Sequence, residues 1–169
     1  MRTGVRVGID VGTVRIGVAR SDFHGLLATP VETVPREKAT AAGQGTASPQ
    51  AAATRDLVRL SAIIAELDAV EVIVGLPLAL TGRHTASTED AVAFADRLAA
   101  VIPVPVRLVD ERLSTVSAQA ALRTSGRSTR TQRPVVDQVA ATIILQHALD
   151  TERATGTPAG APVELTERP

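Results

Sequence analysis

The stretch Arg6-Val-Gly-Ile-Asp-Val-Gly-Thr-Val-Arg-Ile-Gly-Val-Ala-Arg20 is where the fold declares itself. Val5, Val7, Ile9 and Val11 alternate with Arg6, Gly8 and Asp10, the period-two pattern of a strand. Gly12 and Thr13 offer a turn, and Val14 to Arg20 is short and β-branched, so the stretch predicts a β-hairpin. Downstream, Gly25 to Val34 predicts a third strand. Residues 35–53 fall into Ala, Gly, Thr, Ser and Gln and predict a flexible loop with little to bury. Leu57, Leu60, Ile64 and Leu67 form an apolar helical stripe, with Arg55, Asp56, Arg59 and Glu66 assigned to its solvated side. Val70 to Gly75 reads as a strand buried on both faces. Ser87 and Asp90 resemble a capping box ahead of the stripe Phe94, Leu98, Ile102. Val104 to Val109 gives another strand and Val135 to Leu149 a last helix, with Pro134 in its first turn. The order β-β-β-α-β-α-β-α-α predicts one α/β domain over residues 1–150, a five-stranded mixed sheet flanked by helices. A polar, loose tail follows over 151–169.

At 169 residues and 44% hydrophobic content the chain can close one core but not two lobes. Eighteen Lys and Arg balance eighteen Asp and Glu, so any electrostatic preference must be local. The absence of Cys excludes disulfides and thiolate zinc sites, and His24, His84 and His147 are too dispersed for a local cluster. A metal here would have to be held by carboxylates. The apolar N-terminal stretch is interrupted by Arg6 and Asp10, and no 18-residue apolar run occurs, so the expectation is a cytoplasmic protein without a membrane partner. With aromatics at 1%, recognition by stacked aromatic platforms is disfavoured.

Three acids stand where acids are costly. Asp10 lies within the first strand between Gly8 and Gly12, where desolvation penalises its charge unless a cation or donors compensate it. A bond to a turn amide or to Arg15 would serve equally. Asp110 and Glu111 end the strand Val106 to Val109, the end at which open α/β sheets place ligands. By alternation Glu111 shares the side of Val109, while an acidic helix entry is the plainer account of the pair. Asp137 lies within about 40° of Ala141, Ile144 and Ala148 on a helical wheel, and so on the apolar stripe. A first-turn carboxylate favoured by the helix dipole is the alternative. Together these acids could hold two Mg²⁺ or Mn²⁺ ions roughly 3.5 to 4 Å apart against a phosphodiester, with no histidine base required.

Between Arg112 and Val136 stand Arg112, Arg123, Arg127, Arg130 and Arg133 without a single acid, a formal charge of +5. The segment from Ser125 to Arg133 has no hydrophobic residue and predicts a flexible basic loop immediately before Asp137. Guanidinium and hydroxyl groups suit phosphate oxygens, so these arginines, with Arg15, are the candidate nucleic-acid contacts.

Four motifs, Gly8-Ile-Asp-Val-Gly-Thr-Val-Arg-Ile-Gly-Val-Ala-Arg-Ser-Asp22, Val74-Gly-Leu-Pro-Leu78, Asp110-Glu-Arg-Leu-Ser-Thr115 and Asp137-Gln-Val-Ala-Ala141, occur in the order and spacing of the YqgF/RuvX family, which the chain resembles from about Arg6 to Asp150. That resemblance implies an RNase H-like fold and Asp10, Glu111 and Asp137 as metal-binding catalytic acids. It also implies hydrolysis of structured nucleic acid, precursor rRNA or a four-way DNA junction, by a monomer or homodimer. The chain departs from the family where Ala79-Leu-Thr-Gly82 replaces the frequent Asn-Met-Asp-Gly, removing a polar side chain and a carboxylate. Its basic loop carries arginine where the family usually has lysine. Two other readings stand beside this one: a non-catalytic RNA- or DNA-binding factor of the same fold, and the phosphate loop of actin-like ATPases and sugar kinases, which Asp10-Val-Gly-Thr13 also resembles.

Overall fold

A computed structural model describes residues 1–38, 53–112 and 129–165, with the side chains of the last helix described from Asp137 onward. The hairpin forms as its alternation requires: β1 (Arg6–Val11) and β2 (Arg15–Ser21) pair antiparallel, and β3 (Ala28–Pro35) continues the meander. Helix α1 (Arg55–Glu66) then leads to β4 (Glu71–Leu76), α2 (Ala86–Ala99) to β5 (Val106–Asp110), and α3 (Thr129–Thr155) to β6 (Ala161–Pro162). The sheet order is β3-β2-β1-β4-β5-β6. Strands β1, β4 and β5 are parallel neighbours, and β6 closes the edge antiparallel to β5.

The two faces of β1 go to two separate cores. Val7 and Ile9 pack with Leu57, Leu60, Phe94 and Leu98 of α1 and α2. On the other face α3 supplies Ala141, Ile144, Leu145 and Ala148 against Ile73 and Val109. The mixed α/β fold with helices on both faces is therefore the one expected, but its sheet has six strands and not five. The sixth comes from the supposed loose tail. That segment continues α3 to Thr155, and Arg107 then donates to the carbonyls of Ala159 and Gly160, which brings Ala161 alongside Leu108.

Other expectations need correcting. The capping box of α2 is Thr85 with Thr88, not Ser87 with Asp90; Thr88 is fully buried and also donates to the Pro77 carbonyl. Asp90 instead accepts a fork from Arg36 at 2.5 and 2.7 Å. Asp56 is not solvated but 1% exposed, satisfied at the start of α1 by the amides of Glu37 and Leu57 and the Thr54 hydroxyl. Helix α3 starts at Thr129, so the expected loop ending at Arg133 is helical over its last residues. Arg and Gln propagate a helix well, and the lack of apolar residues there was no evidence against one. Of the expected 35–53 loop, residues 39–52 lie outside the described residues.

Candidate active site

Asp10 is the fifth residue of β1 and shares its face with Gly8, toward α3. Glycines make this approach possible. A Cβ on Gly8 would meet the Leu145 side chain at 2.6 Å and the Ala141 carbonyl at 3.0 Å; one on Gly17 would stand 1.9 Å from the Asp137 carbonyl. Gly17 is the cross-strand partner of Asp10. Helix α3 thus lies directly on backbone, which brings Asp137 to the strand pair carrying Asp10. Asp137 sits more than two turns inside α3, beyond the first turn over which the helix dipole acts, so a first-turn role does not explain it. Its Oδ2 accepts from Arg15 Nε at 2.9 Å. The partner weighed for Asp10 therefore belongs to Asp137.

Glu111 follows β5, and its amide donates to the Leu76 carbonyl at 3.3 Å, extending the β4–β5 ladder by one bond. Its side chain crosses β4 at Gly75, where a Cβ would stand 2.4 Å from Glu111 Oε2 and 2.7 Å from Ile144 Cδ1. Asp110 is drawn outward: the Arg112 amide, Nε and Nη2 converge on its carboxylate, and Nη2 lies 2.5 Å from Oδ2. Those bonds hold Asp110 below the usual carboxylate range. Arg112 also reaches the Leu80 carbonyl at 3.4 Å, tying the loop after β4 to the end of β5.

Burial, reinforced by Asp137, pushes the Asp10 carboxyl up to about 6. Burial, then Asp10 and then Asp110, pushes Glu111 up to about 7. Asp10 therefore stands electrostatically between the other two acids. Two half-buried carboxyls that resist ionisation, each beside another acid, are a donor pair suited to a hard divalent cation, which prefers oxygen and would offset the repulsion. Among the described residues no group of three or more His, Cys, Asp or Glu side chains is disposed to hold a metal ion, and the Arg15 bridge occupies one oxygen of the third acid.

The structure brings Asp10, Glu111 and Asp137 to one end of the sheet and sets Arg15 and Arg112 among acids. Arg123 and Arg127 lie outside the described residues, and Arg130 and Arg133 fall on α3 with their side chains outside them. Sequence reasoning missed Gly17 and Gly75 as spacers. Their signal was the small residue recurring in each strand, visible beforehand only at Gly8 and Gly12.

The family model described as "RuvX: Holliday junction resolvase" matches residues 4–151. A protein of Leifsonia xyli subsp. xyli named "Putative pre-16S rRNA nuclease" is 63% identical over 164 residues, covering 97% of each chain. One of the same name from Clavibacter michiganensis subsp. michiganensis is 62% identical over 161 residues, 95% of this chain and 92% of that protein. Among solved structures, T. thermophilus RuvC in complex with a Holliday junction substrate superposes with a TM-score of 0.51 at 19% identity, over 94% of this chain and 99% of that one, which shows a shared fold. The family match extends over all three glycine-spaced strands, β1, β2 and β4, and most of α3, so it displaces the kinase-like alternative. With this match and these identities, the chain belongs to the RuvX (YqgF) family.

Proposed function

We propose that the chain is a divalent-metal-dependent endonuclease that hydrolyses phosphodiesters of structured nucleic acid, with Asp10, Glu111 and Asp137 as its metal-holding acids. The observation that carries this reading is the half-buried Asp10–Glu111 pair at the C-terminal ends of the parallel strands β1 and β5 of the mixed sheet, each carboxyl raised by its partial burial and Glu111 raised further by Asp10. Mg²⁺ or Mn²⁺, two ions in all, would supply charge neutralisation at the phosphate and lower the pKa of the attacking water. The protein's own part is positional. Gly75 lets Glu111 lie across β4, Gly17 lets α3 deliver Asp137, and Arg15 stands beside Asp137 with a fork of donors suited to a phosphate oxygen. The basic segment from Arg123 to Arg133 adds charge for the backbone of the nucleic acid.

The relatives' name supports precursor rRNA as substrate and the family's description supports a four-way DNA junction. Paired cutting of a junction would call for a symmetric homodimer, whereas rRNA cleavage would suit a monomer. No helix among the described residues is long and apolar enough to cross a membrane, and work on rRNA would place the protein in the cytoplasm. The pairing of Asp137 with Arg15 favours a second reading, a non-catalytic binding factor. Purified protein incubated with a precursor rRNA fragment and a four-way junction in parallel, each with Mg²⁺, Mn²⁺ or chelator, separates the two: metal-dependent cuts at defined positions are expected, and binding without cutting in every arm would leave the binding factor.

A further inference from the structure

Two apolar side chains stand out into solvent at the end of the sheet that carries the acids. Leu80 is 85% exposed and Val14 65%, the two highest values among the large hydrophobic residues described as exposed. Val14 lies in the turn after β1 and Leu80 in the loop after β4. Because β1 and β4 are adjacent and parallel, paired as Ile9 with Val74, both segments leave the same edge of the sheet at which Asp10 and Glu111 lie. Neither is a loose loop. The Gly12 amide donates to the Arg15 carbonyl at 2.9 Å, the Arg36 amide to the Val14 carbonyl at 2.8 Å and Arg36 Nη1 to the Gly12 carbonyl at 2.9 Å. Around Leu80 the Ala79 amide donates to the Arg83 carbonyl at 3.0 Å and the Gly82 amide to the Ala79 carbonyl at 2.7 Å, and Arg112 grips Leu80's own carbonyl. Backbone bonds thus hold these side chains away from any core.

We propose that Val14 and Leu80 form an apolar rim that receives unstacked bases, so that the favoured substrate is nucleic acid whose bases beside the scissile phosphate are unpaired. This rests on the nuclease reading and names its substrate class. A continuous duplex hides its base faces in the stack and shows only sugar, phosphate and base edges, which offer an aliphatic side chain little. A base turned out of the stack offers an apolar face, and aliphatic wedges are a recurring means of prising base steps apart. The chain has no Trp or Tyr, Phe94 is buried and Phe23 follows β2 at the opposite end of the sheet, so branched aliphatic residues are the available surface here. Arg15 and Arg112 stand at the foot of the two segments, where the backbone of the same strand would run.

The test uses the full chain in an Asp10→Asn background with Mg²⁺, which leaves the strand uncut. Two RNA duplexes, one with a short unpaired bulge carrying 2-aminopurine and one fully paired with 2-aminopurine at the same place, are followed by anisotropy and by base fluorescence, with the DNA versions alongside. The rim predicts tighter binding of the bulged duplex and a rise in its fluorescence. In Leu80→Ala that rise and roughly tenfold of the affinity should be lost, while the paired duplex changes less than about twofold. Leu80→Met should restore both and Leu80→Ser neither, with all variants melting alike because the side chain is exposed. Equal binding and fluorescence with and without the Leu80→Ala substitution would overturn the rim and leave the nuclease reading standing. Failure to bind any of the four nucleic acids would overturn the nuclease reading and this inference with it.

Discussion

Asp10 and Glu111 are carboxyls held where their own ionisation opposes folding, and this has a sign that can be measured. Each is raised above its ordinary value, to about 6 and about 7, so the cost is absent below pH 4 and complete only above those values. In chelator, Asp10→Asn should raise the melting temperature at pH 8 by the equivalent of about 3 kcal/mol or less, and the gain should vanish at pH 4. Calorimetry at the two pH values checks it; a variant that melts lower at pH 8 would mean that donors already satisfy Asp10. Gly75 makes a second prediction at this scale. The atoms that a new Cβ would strike are the far ends of the Glu111 and Ile144 side chains, which can swing away. Gly75→Ala should therefore cost about 1 kcal/mol or less in stability while displacing Glu111, so cleavage should fall at least tenfold. A loss of stability large enough by itself to account for the fall in cleavage would make Gly75 a packing residue only.

Elements whose side chains have one dominant environment were legible in the sequence. Strand β1 announces itself because one face is wholly apolar, and β4 because both faces are buried, so alternation and its absence were both informative. The start of α3 was not legible, because a polar run carries no apolar period to read, and the capping box expected at Ser87 and Asp90 lies two residues from the real one, because a hydroxyl-rich stretch does not show which hydroxyls will bond. Of the site, the three acids could be placed by strand and helix period, whereas the Arg15–Asp137 bridge spans 122 residues of sequence and leaves no local signal. The close seating of α3 is likewise a tertiary fact. Gly17→Ala sets a methyl group against a backbone carbonyl that cannot rotate away, so α3 must lift. We expect a loss of about 1–3 kcal/mol on denaturant unfolding, with reduced binding of Mn²⁺ by titration calorimetry; unchanged stability would contradict the seating.

The molecule holds α3 at its other end by charge. Arg6, 1% exposed, lies between Glu71 at the start of β4 and Glu152 near the end of α3, and Arg2 closes the group with bonds of 2.9 Å to each glutamate. Asp137 is thus presented from a helix anchored fifteen residues away. The Arg2 bonds, helped by Arg6, hold the Glu152 carboxyl down to about 2, so it stabilises the fold above its usual range and that contribution is lost as pH falls toward 2. Glu152→Gln should cost about 3 kcal/mol at neutral pH by leaving Arg6 short of charge in a buried position, and the difference from wild type should shrink in acid. Thermal melts across pH read both effects. The proposed cutting centre draws its three acids from β1, the end of β5 and the body of α3. Its most direct test is cleavage of an end-labelled precursor rRNA fragment and a labelled four-way junction in Mn²⁺ by wild type, Asp10→Asn, Glu111→Gln, Asp137→Asn and Asp110→Asn, each checked for folding. Cuts by wild type are expected, with a loss of orders of magnitude in the first three variants and near wild-type cutting in the fourth. Full activity in any of the first three, or a greater loss with Asp110→Asn than with Glu111→Gln, would contradict it.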